Sequence, residues 1–236
     1  MRHTSEEPVF ENRYDAGRKL AEKLTEFANS SPVVLAIPNG GVAVALGVAL
    51  AIGAEFDLVI SRKLPLPLSP EGGFGSVTDD GTIILDEAMV KHAGLSQQQI
   101  DYQVNRVRAN IKHRSLLYHK DRRPLSITNR TVIIVDDGLA SGYTMKAAIA
   151  SLRKRKPAKI VAAVPVGPER VVNEIRKVAD RVVTCVVGTK PEFYVADYYR
   201  TWYDTTDNEV LTCLKEFSMR LGGGRIKLPE KKRENY

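Results

Sequence analysis

The chain has little cysteine. Its two cysteines, Cys185 and Cys213, stand far apart and in no metal-ligand spacing. This argues against a disulfide framework or a zinc site and points to a reducing compartment, the cytoplasm. Long hydrophobic runs are scarce as well. The longest, VAVALGVALAIGA from Val42 to Ala54, is too short to cross a bilayer and predicts a buried helix. The first residues, MRHTSEEPVFENRYD, are polar and charged, so neither a secretory signal nor a membrane partner is expected. The chain shows no internal repeat and no appended helix-turn-helix segment.

Among 236 residues, 43% are apolar and 27% are charged. Such a chain can bury a sizeable core without staples. The reading is a single domain over residues 1–220, with a loose charged tail over 221–236. The formal net charge is +7. That surplus permits binding to polyanions, either nucleic acid or a phosphorylated small molecule. A generally basic solvated surface would produce the same surplus.

Strand and helix patterns alternate along most of the chain. Tyr14 to Asn29 has apolar residues at three- and four-residue spacings, predicting an amphipathic helix. Val33–Ile37, Phe56–Leu64, Thr82–Leu85, Val132–Val135, Lys159–Gly167 and Arg181–Val187 read as strands. Helices are expected from Val42, in a short segment ending at Gly94, over Thr144–Arg153 and over residues 174–180. Pro65–Ser76 is rich in proline and glycine and reads as a loop, with a mobile stretch extending to Asp80. Ser96 and Gln99 form a capping box. The helix they open carries Ile100, Val104, Val107 and Ile111 on one stripe and Arg106, Arg108, Lys112 and Arg114 elsewhere, with Pro124 as its far limit. Lys190–Asp207 is rich in aromatics. This alternation predicts an α/β fold with a mainly parallel sheet flanked by helices.

Ligands of open parallel sheets bind beyond the carboxyl ends of the strands. One such end is TVIIVDDGLASGYTM, Thr131–Met145. Its strand delivers Asp136 and Asp137 to the sheet edge, and small residues then lead into a helix. Side by side, the two acids could be helix caps, metal ligands or acceptors for a substrate's hydroxyls. A cap requires only one of them. A helix start with free N–H groups favours an anion, and Ala140, Ser141 and Gly142 let a phosphate approach the backbone. Ser141 and Thr144 add hydroxyl donors. A vicinal diol a short distance from a phosphate, as in ribose 5-phosphate, suits both halves.

VIIVDDGLASGYT resembles the phosphoribosyl-pyrophosphate signature of the type I phosphoribosyltransferases. The resemblance covers roughly Val33 to Val187. It implies that fold, with a hood at about 188–215 and an inserted helical segment at about 86–123. It implies a transferase that uses 5-phosphoribosyl 1-pyrophosphate and Mg²⁺ to transfer phosphoribose to a nitrogenous base, releasing pyrophosphate. Asp136 and Asp137 would hold the ribose and serve catalysis with Arg62 and Lys63. Mg²⁺ would arrive through the substrate, water-linked to the two aspartates. Ala140, Ser141, Gly142, Tyr143 and Thr144 would hold the 5-phosphate. Asn39, Gly40, Gly41, Arg62 and Lys63 would hold the pyrophosphate, although Asn39 stands where the family often has arginine or lysine. Phe193 or Trp202, in the hood, could stack on a small planar acceptor. Ala140 stands where the hypoxanthine–guanine branch has an aspartate, which argues against that type of acceptor. The Arg-Lys-Leu followed by a proline-rich loop resembles a less characterised branch of the family. A homo-oligomer, a dimer, is expected. The alternative from another class is a nucleotide- or donor-sensing regulator that binds RNA or DNA through its basic helix without catalysis.

Overall fold

A computed structural model of the chain describes residues 2–3, 8–67, 69–118 and 124–222. Six strands form one parallel sheet: β1 (Arg2–His3), β2 (Val33–Ala36), β3 (Glu55–Leu58), β7 (Thr131–Val135), β8 (Lys159–Pro168) and β9 (Arg181–Gly188). Their spatial order is β1-β9-β8-β7-β2-β3. A three-stranded antiparallel sheet, β4 (Ser61–Leu66), β5 (Ser69–Thr78) and β6 (Ile83–Leu85), stands beside it. The mainly parallel sheet flanked by helices is the fold that the alternation of elements predicts.

The central strands are continuous apolar runs because both faces of the sheet are covered. Val34, Ala36, Ile133 and Val135 face one core with α1 (Arg13–Glu22) and α2 (Gly41–Ile52). Val33, Leu35, Val132 and Ile134 face the other with α5 (Tyr143–Arg153) and α6 (Glu169–Ile175). Successive residues therefore alternate between two dry layers. α3 (Glu87–His92) and α4 (Gln97–Tyr118) lie between β6 and β7. The capping box at Ser96 is formed: Ser96 N–H donates to Gln99 Oε1 at 2.9 Å, and Gln99 N–H donates to Ser96 Oγ at 3.3 Å.

Five expectations need correction. The segment Phe56–Leu64 is two strands in two sheets. Val59 and Ile60 at the junction are both buried, so hydrophobicity runs unbroken through a change of sheet. The expected loop Pro65–Ser76 is instead mostly β-structure, since β5 pairs antiparallel with β4. The register shifts on either side of Pro65 accommodate a residue without an N–H. Gly75 has φ 151°, and a Cβ there would lie 2.3 Å from Ile84 O. The glycines thus mark close approach between strands rather than a loop.

The first helix ends at Glu22, and a 3₁₀ helix, Thr25–Ser30, follows. Leu20, Leu24 and Phe27 stay buried across the break, and their spacing does not distinguish the two helix types. The helix expected over 174–180 is α6, which starts at Glu169 because Val171, Val172 and Ile175 are the residues that pack. A final helix, α7 (Asp207–Gly222), had not been expected. It buries Val210, Cys213, Leu214 and Phe217, and its start is a second capping box, with Thr206 N–H donating to Glu209 Oε2 at 2.8 Å. The remaining tail, 223–236, and the far end of the basic helix, 119–123, lie outside the described residues. Among the described residues no helix is long and apolar enough to cross a membrane.

Gly75→Val should destabilise the chain by about 2–3 kcal/mol, through steric overlap with β6 and a φ that valine resists. Urea unfolding followed by circular dichroism measures this. An unchanged midpoint would contradict the close approach.

Candidate active site

β2 and β7 are parallel neighbours in register, with Ala36 opposite Val135. Their carboxyl ends therefore lie side by side, and so do the loops that follow. The contact is too close for side chains on the first loop. A Cβ on Gly40 would lie 1.9 Å from Asp137 Oδ2, and one on Gly41 would lie 2.8 Å from Asp136 Cα. The glycines of Pro38–Gly41 are thus dictated by the acid pair. The Gly41 N–H is engaged by Ile37 O at 3.2 Å, so Gly41 serves packing.

β4 is fastened to the same place. Ser61 Oγ donates to Thr144 O at 2.9 Å, and Ser76 Oγ donates to Arg62 O at 2.7 Å. These bonds hold Arg62 and Lys63 against the start of α5. The result is a cavity of about 760 Å³ lined by Asn39, Gly40, Arg62, Lys63, Asp136 and Asp137, among others. A second lobe of about 490 Å³ is lined by Ala140, Ser141, Gly142, Thr144 and Phe193. Lys63, Asp136, Asp137, Thr144 and Trp202 line both lobes. Most of the expected site residues are thereby brought together. The exceptions are Gly41, which lies behind the rim, and Tyr143, whose ring lies 4.7 Å from Lys146 Nζ and lines neither lobe.

The aromatic rings expected to stack on an acceptor already have protein neighbours. Phe193 packs on Tyr198 with centroids 5.2 Å apart. Trp202 packs on Tyr199 at 5.1 Å and lies 4.0 Å from the Arg13 guanidinium.

Arg13 lines the larger lobe and is the site residue that the sequence reading missed. It is 7% exposed. Its Nε and Nη2 both reach Asp137 Oδ2 at 2.9 Å, and its Nη1 donates to Tyr203 O at 2.9 Å. Tyr199 OH donates to the Asp137 carbonyl at 2.6 Å. Burial pushes the Asp136 carboxyl well above its usual range, and the neighbouring Asp137 charge adds to this. Burial raises Asp137 as well, but Arg13 pulls it back. Among the described residues Asp136 has no ion-pair partner, so the pair is unequal: one acid is held by a cation and the other is strained by burial.

Asn39 lines the larger lobe, but its side chain is engaged by protein groups. Its Nδ2 donates to Thr205 O at 2.8 Å and to Asp207 Oδ1 at 2.9 Å, and its Oδ1 accepts from Arg114 Nη1. Tyr118 OH donates to Asp207 Oδ1 at 2.6 Å, and Arg114 lies 3.2 Å from the same oxygen. Burial alone would raise the Asp207 pKa, but the hydrogen bonds from Tyr118 and Asn39, together with Arg114, outweigh it and lower it. The basic helix is also not wholly a solvated face. Arg106, Asn110 and Arg114, four residues apart, line the larger lobe. That spacing was visible in the sequence.

Two kinds of protein resemble this chain. The Mycobacterium tuberculosis protein Rv0571c, which carries a provisional phosphoribosyl transferase name, is 36% identical over 206 residues. The alignment covers 87% of this chain and 46% of that protein, so the chain spans about half the length of the curated relatives it matches. The crystal structure of TT1426 from Thermus thermophilus superposes with a TM-score of 0.72 at 33% identity, covering 92% of this chain and 99% of that one. The family model described as "Phosphoribosyl transferase domain" matches residues 9–198. Two acids and a glycine loop at adjoining strand ends of a parallel sheet stand where ligands of open α/β sheets bind. The chain belongs to the phosphoribosyl transferase domain family.

The folded-state pKa of Asp136 lies above its unfolded value, so ionising it costs stability as pH rises through that window. Asp136→Asn removes the cost. It should raise the thermal midpoint at neutral pH, and the gain should shrink as pH falls towards the ordinary carboxylate range. Arg13→Gln leaves Asp137 unpaired and should cost about 3 kcal/mol. Thermal unfolding across pH checks both, and a lowered midpoint for Asp136→Asn at neutral pH would contradict the assignment.

Proposed function

We propose that the chain is a phosphoribosyltransferase that takes 5-phosphoribosyl 1-pyrophosphate with Mg²⁺ and transfers phosphoribose to a nitrogen of a planar base. The observation that carries this reading is the convergence of Asp136–Asp137, the start of α5 and the Gly40 loop on one two-lobed cavity. The two lobes suit a donor with phosphate groups at its two ends and a diol between them.

In this reading the Ala140–Thr144 loop seats the 5-phosphate at the start of α5. Asp136 and Asp137 accept hydrogen bonds from the ribose hydroxyls and favour positive charge developing on the ring. Arg62 and Lys63 bind the leaving pyrophosphate. The acceptor nitrogen bonds to the anomeric carbon, the bond to pyrophosphate breaks with its electron pair, and the acceptor loses a proton. The hairpin β4–β5, beside the shared acids, shields the reacting carbon from water. Among the described residues no cluster of three or more His, Cys, Asp or Glu could hold a metal alone. Two adjacent carboxylates suit a hydrated Mg²⁺ carried in by the diphosphate, and the ion would neutralise charge on the leaving group. Ala140 lines the second lobe without a carboxylate, which supports an acceptor other than the hypoxanthine–guanine type. Both cysteines are free and buried, consistent with a reducing cytoplasmic setting. Because α4 turns Arg106 and Arg114 towards the cavity, much of its basic character is better explained by a small anionic ligand than by nucleic acid.

Adding phosphoribosyl pyrophosphate, Mg²⁺ and a panel of nucleobases should release pyrophosphate, and Asp136→Asn with Asp137→Asn should cut the rate at least a hundredfold. Tight donor binding without release on any acceptor, together with salt-sensitive RNA or DNA binding, would favour the regulator instead.

A further inference from the structure

We propose that the larger lobe takes its diphosphate-binding cations from the inserted helix α4, with Arg106 and Arg114 joining Arg62 to replace the cation that the Asn39–Gly41 loop lacks. The inference rests on the reading of the site given above and deepens it. Asn39 has no donor left for a ligand, because both its amide hydrogens are directed at Thr205 O and Asp207 Oδ1. Its acceptor instead holds the Arg114 guanidinium against the loop. The positive charge absent from position 39 in sequence is thus supplied next to it in space. Asn39 positions Arg114 rather than touching the ligand.

Five cations line the lobe, Arg13, Arg62, Lys63, Arg106 and Arg114, against three carboxylates, Asp136, Asp137 and Asp204; Arg13 is paired with Asp137. Arg114 is matched by Asp207, but Arg62 and Arg106 form no ion pair among the described residues. Arg62 is half-buried, and its pKa is lowered by burial and then by the neighbouring Arg114 charge. Lys63 donates only to a carbonyl, Glu71 O, at 2.7 Å. Like charges held together in a partly desolvated lobe repel each other unless an anion lies between them. Guanidinium forks suit a condensed phosphate, whose oxygens they can bind in pairs. Arg106 and Arg114, two turns apart with Asn110 between them, face the same lobe as Gly40.

Titration calorimetry with inorganic pyrophosphate and, separately, ribose 5-phosphate tests the inference in a magnesium buffer of fixed ionic strength. Arg106→Gln should weaken pyrophosphate roughly tenfold and leave ribose 5-phosphate unchanged. Arg114→Gln should do the same, and Asn39→Lys added to it should recover much of the loss. Equal affinity for pyrophosphate in wild type and Arg106→Gln overturns the inference, as does equal weakening of both ligands. Arg106 makes no hydrogen bond or ion pair among the described residues, so its variant is informative even if Arg114→Gln fails to fold. Wild-type binding of pyrophosphate without ribose 5-phosphate would count against the phosphoribosyl donor and leave the diphosphate lobe standing.

Discussion

Two strand ends abut at less than the width of a side chain, and the site follows from that constraint. β2 and β7 are in register, so the loop after one is pressed against the acids after the other. Only glycine fits at 40 and 41. Because the glycine loop and the acid pair are in contact, a ligand that meets one meets the other. The sheet thereby fixes the spacing of the chemistry before any side chain is chosen.

Crowding two carboxylates at that junction has an energetic cost, and the fold offsets it unevenly. Arg13, from a helix far away in sequence, neutralises Asp137, while Tyr199 holds the backbone carbonyl of the same residue. Asp136 has no cation paired with it among the described residues and accepts the Asp137 backbone N–H at 2.9 Å. The most strained group is the one left free to meet a ligand, as expected where binding rather than stability sets the residue. A second network converges on Asn39 from α4 and from the segment leading into α7. α4, the segment leading into α7 and the loop after β2 are therefore joined by polar contacts around the cavity.

Much of this was legible in the sequence. The run VIIVDDGLASGYT announced a strand, an acid pair and a helix start, and the structure shows that order. The alternation of apolar runs gave the parallel sheet. Proline and glycine in residues 65–76 misled, because the same residues that mark loops also permit bulges and close strand approach. The split of Phe56–Leu64 was invisible because apolar character continues through the bend. α7 carried a readable signal in Thr206–Glu209 and in the spacing of Val210, Cys213, Leu214 and Phe217. Arg13 carried none, since a lone arginine at a helix start reveals its partner only when the chain has folded. The cavity-facing edge of α4 was readable as a spacing, but which way that edge points depends on packing.

Trp202 is the only tryptophan in the chain. Its ring lines both lobes of the cavity and lies against the Arg13 guanidinium and Tyr199. The molecule therefore contains a single intrinsic indole fluorophore, and it is placed at the site itself. Its emission carries no background from other indoles, so light from one ring reports directly on what enters beside the two acids.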